Sequence, residues 1–152
     1  MELARLARAD DRQTCTRLLS QALVAAESMR GGAALVGDAT TVTLLDRWTQ
    51  PGEGNQLLVG EYEGAVVGLL AVTAAPGPRG VTNGLIGCCY VETAARGVGV
   101  GTALMDAAVA WCAEKGCASV DALALPGDRT TKQRLEGSGF TARLLTLSRR
   151  LD

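Results

Sequence analysis

Apolar residues recur along this chain with two periods, and the switches between them mark out the elements. Residues 2–8 predict a short strand, after which Asp10 or Asp11 can cap a helix carrying Leu18, Leu19, Ala22, Leu23 and Ala26 at helical spacing. That helix should end before Gly31-Gly32, and residues 39–48 predict a shorter one with Val42, Leu44, Leu45 and Trp48, closed by a Pro51-Gly52 turn. Gln56–Tyr62 and Ala65–Thr73 are β-rich runs separated by Glu63-Gly64, a tight hairpin signal, and the loop 74–83 makes a second turn. Leu85–Val91 predicts a central strand. A helix over about 100–115 follows, with Val100, Ala103, Leu104, Ala107, Ala108 and Trp111 on one stripe and Gly116 as its stop. Ser119–Leu125 is a near-continuous apolar run, as in a strand buried on both faces. Asp128 caps a short helix through Glu136, and Phe140–Ser148 predicts a last strand. The order is that of an α+β domain, a hairpin-rich antiparallel sheet running into one β–α–β crossover.

Composition narrows this to one domain over residues 1–152, since 47% hydrophobic and 20% charged residues suit a single packed core. Histidine is absent, which excludes catalysis by imidazole and the commonest nitrogen ligand of catalytic zinc. No metal site is expected. The net charge of −1 and five aromatic residues argue against nucleic acid as a partner. Charge is uneven, however: residues 27–63 carry a net −4 and residues 126–152 a net +3. Cys15, Cys88, Cys89, Cys112 and Cys117 show no paired CxxC spacing and read as reduced thiols. The charged residues among the first eleven leave no room for a signal-peptide core, and the longest apolar run, Ala65–Ala75, falls short of the ~20 residues a membrane helix needs. A cytoplasmic protein with no membrane partner is expected.

The chemistry concentrates between Tyr90 and Thr102, where Gly97, Gly99 and Gly101 occupy every second position between a strand and a helix. Such a backbone can adopt φ > 0 and point successive N–H groups at an anion, beside the positive end of the helix dipole. A Walker A loop would need Gly-Lys-Ser/Thr, but Gly101 is followed by Thr102 and Ala103. A dinucleotide fingerprint would need a third glycine where Thr102 stands, and its acid would have to be Asp121, near the start of the next strand.

Arg96-x-x-Gly99-x-Gly101 instead resembles the R/Q-x-x-G-x-G/A signature of the GNAT superfamily of N-acetyltransferases, with Tyr90-Val91 similar to its strand-end pair and Gly139-Phe140 to the Gly-Phe after its last short helix. The resemblance implies a mixed, mostly antiparallel sheet flanked by helices and splayed between strands 85–91 and 119–125, with acetyl-CoA in the opening. It implies that main-chain groups near Tyr90 and Val91 bind the pantetheine arm. The N–H groups of Gly97, Val98, Gly99, Val100, Gly101 and Thr102 would hold the pyrophosphate, with Arg96 either on the phosphate or tying down the loop. From the charge of the tail, Arg129 and Lys132 could reach the ribose phosphate. Asp128 reads as an N-cap that also lies in the register of a CoA-touching polar residue.

Two positions depart from the family. Its usual tyrosine acid, four or five residues before Gly-Phe, falls in the register of Leu135, and its usual glutamate base falls on Cys88. Glu92 or Tyr90 acting through water remain as proton carriers, with Cys88 a covalent relay or a packed hydrophobe. Cys88 and Cys89 should face opposite sides of the strand, so that at most one lines the cleft. Trp48 and Trp111 read as core or interface aromatics. A single strand after Phe140, where the family has two, leaves an edge that a second copy could cover, hence a possible homodimer. The expected activity is acetyl transfer to a primary amine, of a small molecule or a peptide, by direct attack in a ternary complex. The acceptor would enter beside residues 27–56, near Glu27, Asp38, Asp46 and Glu53. The alternative is a non-catalytic acyl-CoA-binding or regulatory module.

Overall fold

Five strands form one sheet in the order β1-β2-β3-β4-β5 in the computed structural model, which describes residues 2–50, 52 and 54–151. β1 (Glu2–Leu6), β2 (Asn55–Tyr62), β3 (Ala65–Pro76) and β4 (Thr82–Val91) pair antiparallel in succession, and β5 (Val120–Ala122) runs parallel to β4. The β2–β3 hairpin closes at Glu63 (φ 49°) and Gly64 (φ 83°), and two consecutive positive φ values give the turn whose twist matches its strands. Pro51 and Glu53 lie outside the described residues, and with them the expected Pro51-Gly52 turn.

Helices α1 (Arg12–Glu27), α2 (Gly32–Val36), α3 (Thr41–Trp48), α4 (Val100–Glu114) and α5 (Arg129–Gly137) complete the fold, with α1 and α3 against one face of the sheet and α4 and α5 against the other. The two-residue period of the strands divides the core accordingly. Leu58, Leu70 and Val72 pack with Val100, Leu104, Met105 and Ala108 of α4 and Leu135 of α5. Leu57, Val59, Leu69 and Ala71 pack with Cys15, Leu18 and Leu19 of α1 and Leu45 and Trp48 of α3. Trp48 is therefore a core residue, and Trp111 packs at the margin of the other cluster.

The mixed sheet flanked by helices is the expected α+β architecture, but three elements differ from their predictions. α2 interrupts the expected loop; five residues are too few to show a period. β5 is three residues long and half-exposed, where a doubly buried strand over 119–125 was expected, because it is the last strand and Leu123 (60% exposed) already leaves β4. The predicted strand Phe140–Ser148 does not form. Phe140 packs into the core, but residues 141–151 are exposed without regular structure, since a strand needs a partner edge and the chain does not return to β5.

Two contacts fix the frame of the site. Gly60 and Gly68 face each other across β2 and β3, and α4 lies directly on the dent they leave. A Cβ at Gly60 would stand 3.1 Å from Leu104 Cδ1 and closer still to Val100, and one at Gly68 would stand 3.2 Å from the same Leu104 atom. At the start of α1, Asp11 accepts from Arg5 Nη1 (2.7 Å), Arg5 Nη2 (3.0 Å) and the Arg8 amide (2.7 Å), while Arg5 also donates to Glu61 (2.7 Å). The Arg5 hydrogen bond holds the Asp11 carboxyl below its ordinary range.

Gly60→Val should cost about 2–3 kcal/mol in urea unfolding, the usual penalty for overpacking, and a loss below about 0.5 kcal/mol would show that α4 does not depend on the dent. Asp11→Ala should cost about 2–3 kcal/mol at pH 7. A carboxyl whose folded pKa is lowered stabilises above its unfolded value, near 3.9, and loses that contribution as pH falls through the folded value. The acid limb of the wild-type stability curve should therefore be steeper below about pH 4 than that of Asp11→Ala; parallel limbs would contradict the assignment.

Candidate active site

β4 ends at Val91, a short turn over Thr93–Ala95 follows, and the chain enters α4 through Gly97 (φ 86°) and Gly99 (φ 94°). Only glycine holds these left-handed conformations without strain. The first hydrogen bond of the helix is Ala103 N–H to the Gly99 carbonyl at 3.0 Å. Among the described residues, nothing accepts from the N–H groups of Gly97, Gly99, Val100, Gly101 and Thr102. Gly97, Gly99, Val100, Gly101 and Thr102 border a pocket of about 400 Å³, together with Val91 and Arg96 and with Thr130, Gln133 and Arg134 of α5. Unpaired donors, a helix N-terminus and two guanidinium groups give this pocket a positive electrostatic character.

The sheet opens beside this pocket. β4 and β5 pair only from Gly84↔Val120 to Ile86↔Ala122, and Gly87 is an extra residue bulging from the β3–β4 ladder, where the register jumps from Val72↔Ile86 to Ala71↔Cys88. Among the described residues, no strand pairs with the outer edge of β4 from Gly87 to Val91. A cleft of about 30 Å³ follows that edge, with Gly87, Cys88 and Cys89 on one wall, Ala122 and Leu123 on another, and Thr131, Arg134 and Leu135 closing it. Cys88 and Cys89 pack into opposite core clusters, as strand alternation requires. Both nevertheless line the cleft, contrary to the expectation that one at most would, because the strand edge itself is the wall.

The chain matches the model of the Acetyltransferase (GNAT) family over residues 32–135. It belongs to the GNAT acetyltransferase family. No curated protein matches the chain at the sequence level. Similar solved structures include a transcriptional regulator from Bacillus halodurans C-125 (20% identity, TM-score 0.74, 99% of this chain and 100% of that one). A ribosomal-protein-alanine N-acetyltransferase from Brucella melitensis biovar Abortus 2308 is similar at 18% identity and TM-score 0.72, covering 100% of both chains. A glucosamine-6-phosphate N-acetyltransferase from Arabidopsis thaliana is similar at 18% and 0.70, covering 100% of this chain and 99% of that one. At such identities these likenesses show the GNAT fold alone.

Within this GNAT fold the residues singled out in the sequence divide into three groups. Val91, Arg96, Gly97, Gly99, Val100, Gly101 and Thr102 meet at the larger pocket, and Val98 turns its side chain to solvent. Arg96 also ties down its loop, donating from Nε to the Val91 carbonyl (2.9 Å) with its guanidinium 5.5 Å from the centre of the Tyr90 ring. Tyr90 and Glu92 lie toward α1: the Tyr90 hydroxyl donates to Gln21 Oε1 (3.2 Å), and Glu92 accepts from Arg17 (2.9 Å). Asp128 caps α5, accepting from Thr131 N (3.1 Å) and Oγ1 (2.6 Å), while Lys132 lies exposed, 3.9 Å from Glu136. Asp128, Arg129 and Lys132 do not line the pocket.

Sequence reasoning missed Thr130, Gln133 and Arg134. Their i, i+3, i+4 spacing from one another, inside the helix that Asp128 caps, was the available signal, but which face of α5 meets the loop depends on Leu135, whose burial in the core turns Arg134 to the cleft. Burial pushes the Cys88 thiol up to about 12. It raises Cys89 as well, with the charge of Arg134 opposing the shift. Among the described residues, no group of three or more His, Cys, Asp or Glu side chains could hold a metal ion, and no helix is long and apolar enough to cross a membrane.

Gly99→Glu would force φ near 94° on a bulky residue and put a carboxylate among the anion donors. Calorimetric titration with coenzyme A should show affinity falling at least about tenfold, about 1.4 kcal/mol. Unchanged affinity in a folded variant would remove the loop from the binding site.

Proposed function

We propose that this GNAT member transfers an acetyl group from acetyl-CoA to a primary amine by direct attack, with donor and acceptor bound together. The observation that carries the proposal is the set of unpartnered N–H groups of Gly97, Gly99, Val100, Gly101 and Thr102, flanked by Arg96 and Arg134 with no carboxylate lining the pocket. These residues fit a pyrophosphate. Main-chain groups of Tyr90 and Val91, near the bare edge of β4, suit the amides of a pantetheine arm, and Asp128, Arg129 and Lys132 are proposed around the ribose phosphate. Bound acetyl-CoA supplies an activated thioester carbonyl; the protein's part is to orient it and to admit the amine deprotonated.

Tyr90 and Glu92, on the α1 side, are proposed to pass the amine's proton to water. Exposed Glu27 and Asp38 favour a cationic acceptor there; Asp46 is already paired with Arg12 at 2.6 Å, and Glu53 lies outside the described residues. A covalent relay through Cys88 has less support, because a thiol raised to about 12 stays protonated at neutral pH. Five free cysteines suit the reducing cytoplasm, where we place the protein. A second copy covering the open edge of β5 is proposed on the exposure of Leu123 beside it and of Leu144, Leu145 and Leu147 in the tail.

The second reading is a non-catalytic acyl-CoA-binding module. It is favoured by Leu135, buried at 8% exposure where the family's tyrosine acid would stand, and by the protonated Cys88 at the position of its base. Both readings expect coenzyme A to stabilise the fold, by about 2.7 kcal/mol at a hundredfold excess over Kd. Only the enzyme should release free coenzyme A when acetyl-CoA is supplied with a panel of small amines and peptides. Mass spectrometry should detect both coenzyme A and the acetylated amine; binding without either product across the panel would establish the module.

A further inference from the structure

Among the described residues, Arg134 alone lines both the anion pocket and the cleft where the sheet opens. Its guanidinium lies across Gly101, where a Cβ would stand 2.7 Å from Cζ, and Nη1 donates to the Cys89 sulfur at 3.6 Å. No carboxylate among the described residues pairs with it. The charged side chains lining the two cavities are Arg96 and Arg134, and Cys88 and Cys89 are the other titratable groups there. An unpaired cation in this cleft thus already rests against a sulfur atom.

We propose that Arg134 stabilises the departing sulfur of the thioester donor as a thiolate, in place of a proton-donating side chain. This rests on the transferase reading above. The amine nitrogen forms its bond to the carbonyl carbon, the C–S bond breaks with its electron pair left on sulfur, and the amine's proton goes to water. A guanidinium does not surrender its proton near neutral pH, so Arg134 acts as a fixed charge and N–H donor, not as an acid. An opposite charge at such distances favours the ionised form, and a charge-assisted hydrogen bond adds to it. The neighbouring positions are unavailable: Leu135 is in the core, and the Tyr90 hydroxyl is on Gln21. The field of Arg134 already opposes the desolvation that raises the Cys89 thiol.

The test is an ultraviolet titration of thiolate absorbance for coenzyme A bound to the wild type, Arg134→Gln and Arg134→Lys, with the apoprotein signal subtracted. The bound thiol should be about tenfold more acidic than free coenzyme A on the wild type, intermediate on Arg134→Lys, and no more acidic than free on Arg134→Gln. Arg134→Gln should also lower kcat at least about tenfold, a larger loss than the weakening of coenzyme A binding that follows from removing one charge beside the anion pocket. Equal losses of affinity for coenzyme A and for 3′,5′-ADP, with the bound thiol's acidity the same on all three proteins, would make Arg134 a phosphate ligand alone and overturn the proposal. An unperturbed thiol on the wild type would overturn it as well. If coenzyme A binds but no amine is acetylated, the transferase reading fails, and with it the catalytic role; the titration then still decides whether Arg134 holds the thiolate. A wild type that does not bind coenzyme A would overturn both.

Discussion

The first turn of α4 can face an anion at the middle of the sheet because β2 and β3 present glycine opposite glycine beneath it. Side chains at Gly60 and Gly68 would meet Val100 and Leu104 and hold the helix off the strands. With the dent in place, Val100 and Leu104 are fully buried, and the helix axis is fixed relative to β4 by packing in the core rather than by the loop. The N–H groups of that first turn have no partner within the helix, and the position of the turn decides which way they point. Close packing in the core and the direction of the first-turn N–H groups are thus two results of one contact.

The second constraint is the short pairing of β4 with β5. Three residue pairs are enough to orient β5, after which the bulge at Gly87 and the departure of Leu123 leave the rest of β4 without a neighbour. Bare strand edges invite pairing with other chains, and this one is recessed under α5. Along β4 the alternation of side chains separates two environments: Cys89 and Val91 face α4 and α5, whereas Cys88 and Tyr90 face α1. Anion donors therefore collect on one face of the sheet, and the Tyr90–Gln21 and Glu92–Arg17 contacts on the other. A molecule lying in the opening would touch both.

Much of this was legible in the residues. The Glu63-Gly64 turn, the Asp128 cap and the positive φ of Gly97 and Gly99 follow from chemistry within a few residues of chain and stand as expected. The buried stripe of α4, by contrast, is offset from the expected one: Met105 and Cys112 are buried, and Ala103, Ala107 and Trp111 are half-buried. β5 and the strand predicted over Phe140–Ser148 were misjudged for one shared reason. An apolar run reports that a segment can pair, but whether it does depends on an edge contributed from elsewhere in the chain, and residues 141–151 meet none.

Arg134 shows the same limit at the site. Its charge was counted with the basic tail, yet nothing local distinguished it from Arg129 or Lys132. The sequence by itself determined that the chain enters α4 through left-handed backbone at Gly97 and Gly99 with free first-turn amides, because these are properties of the local chain. The tertiary structure decided what surrounds that backbone: burial of Leu135 set the rotation of α5, and so brought one arginine to both the anion pocket and the open edge of the sheet.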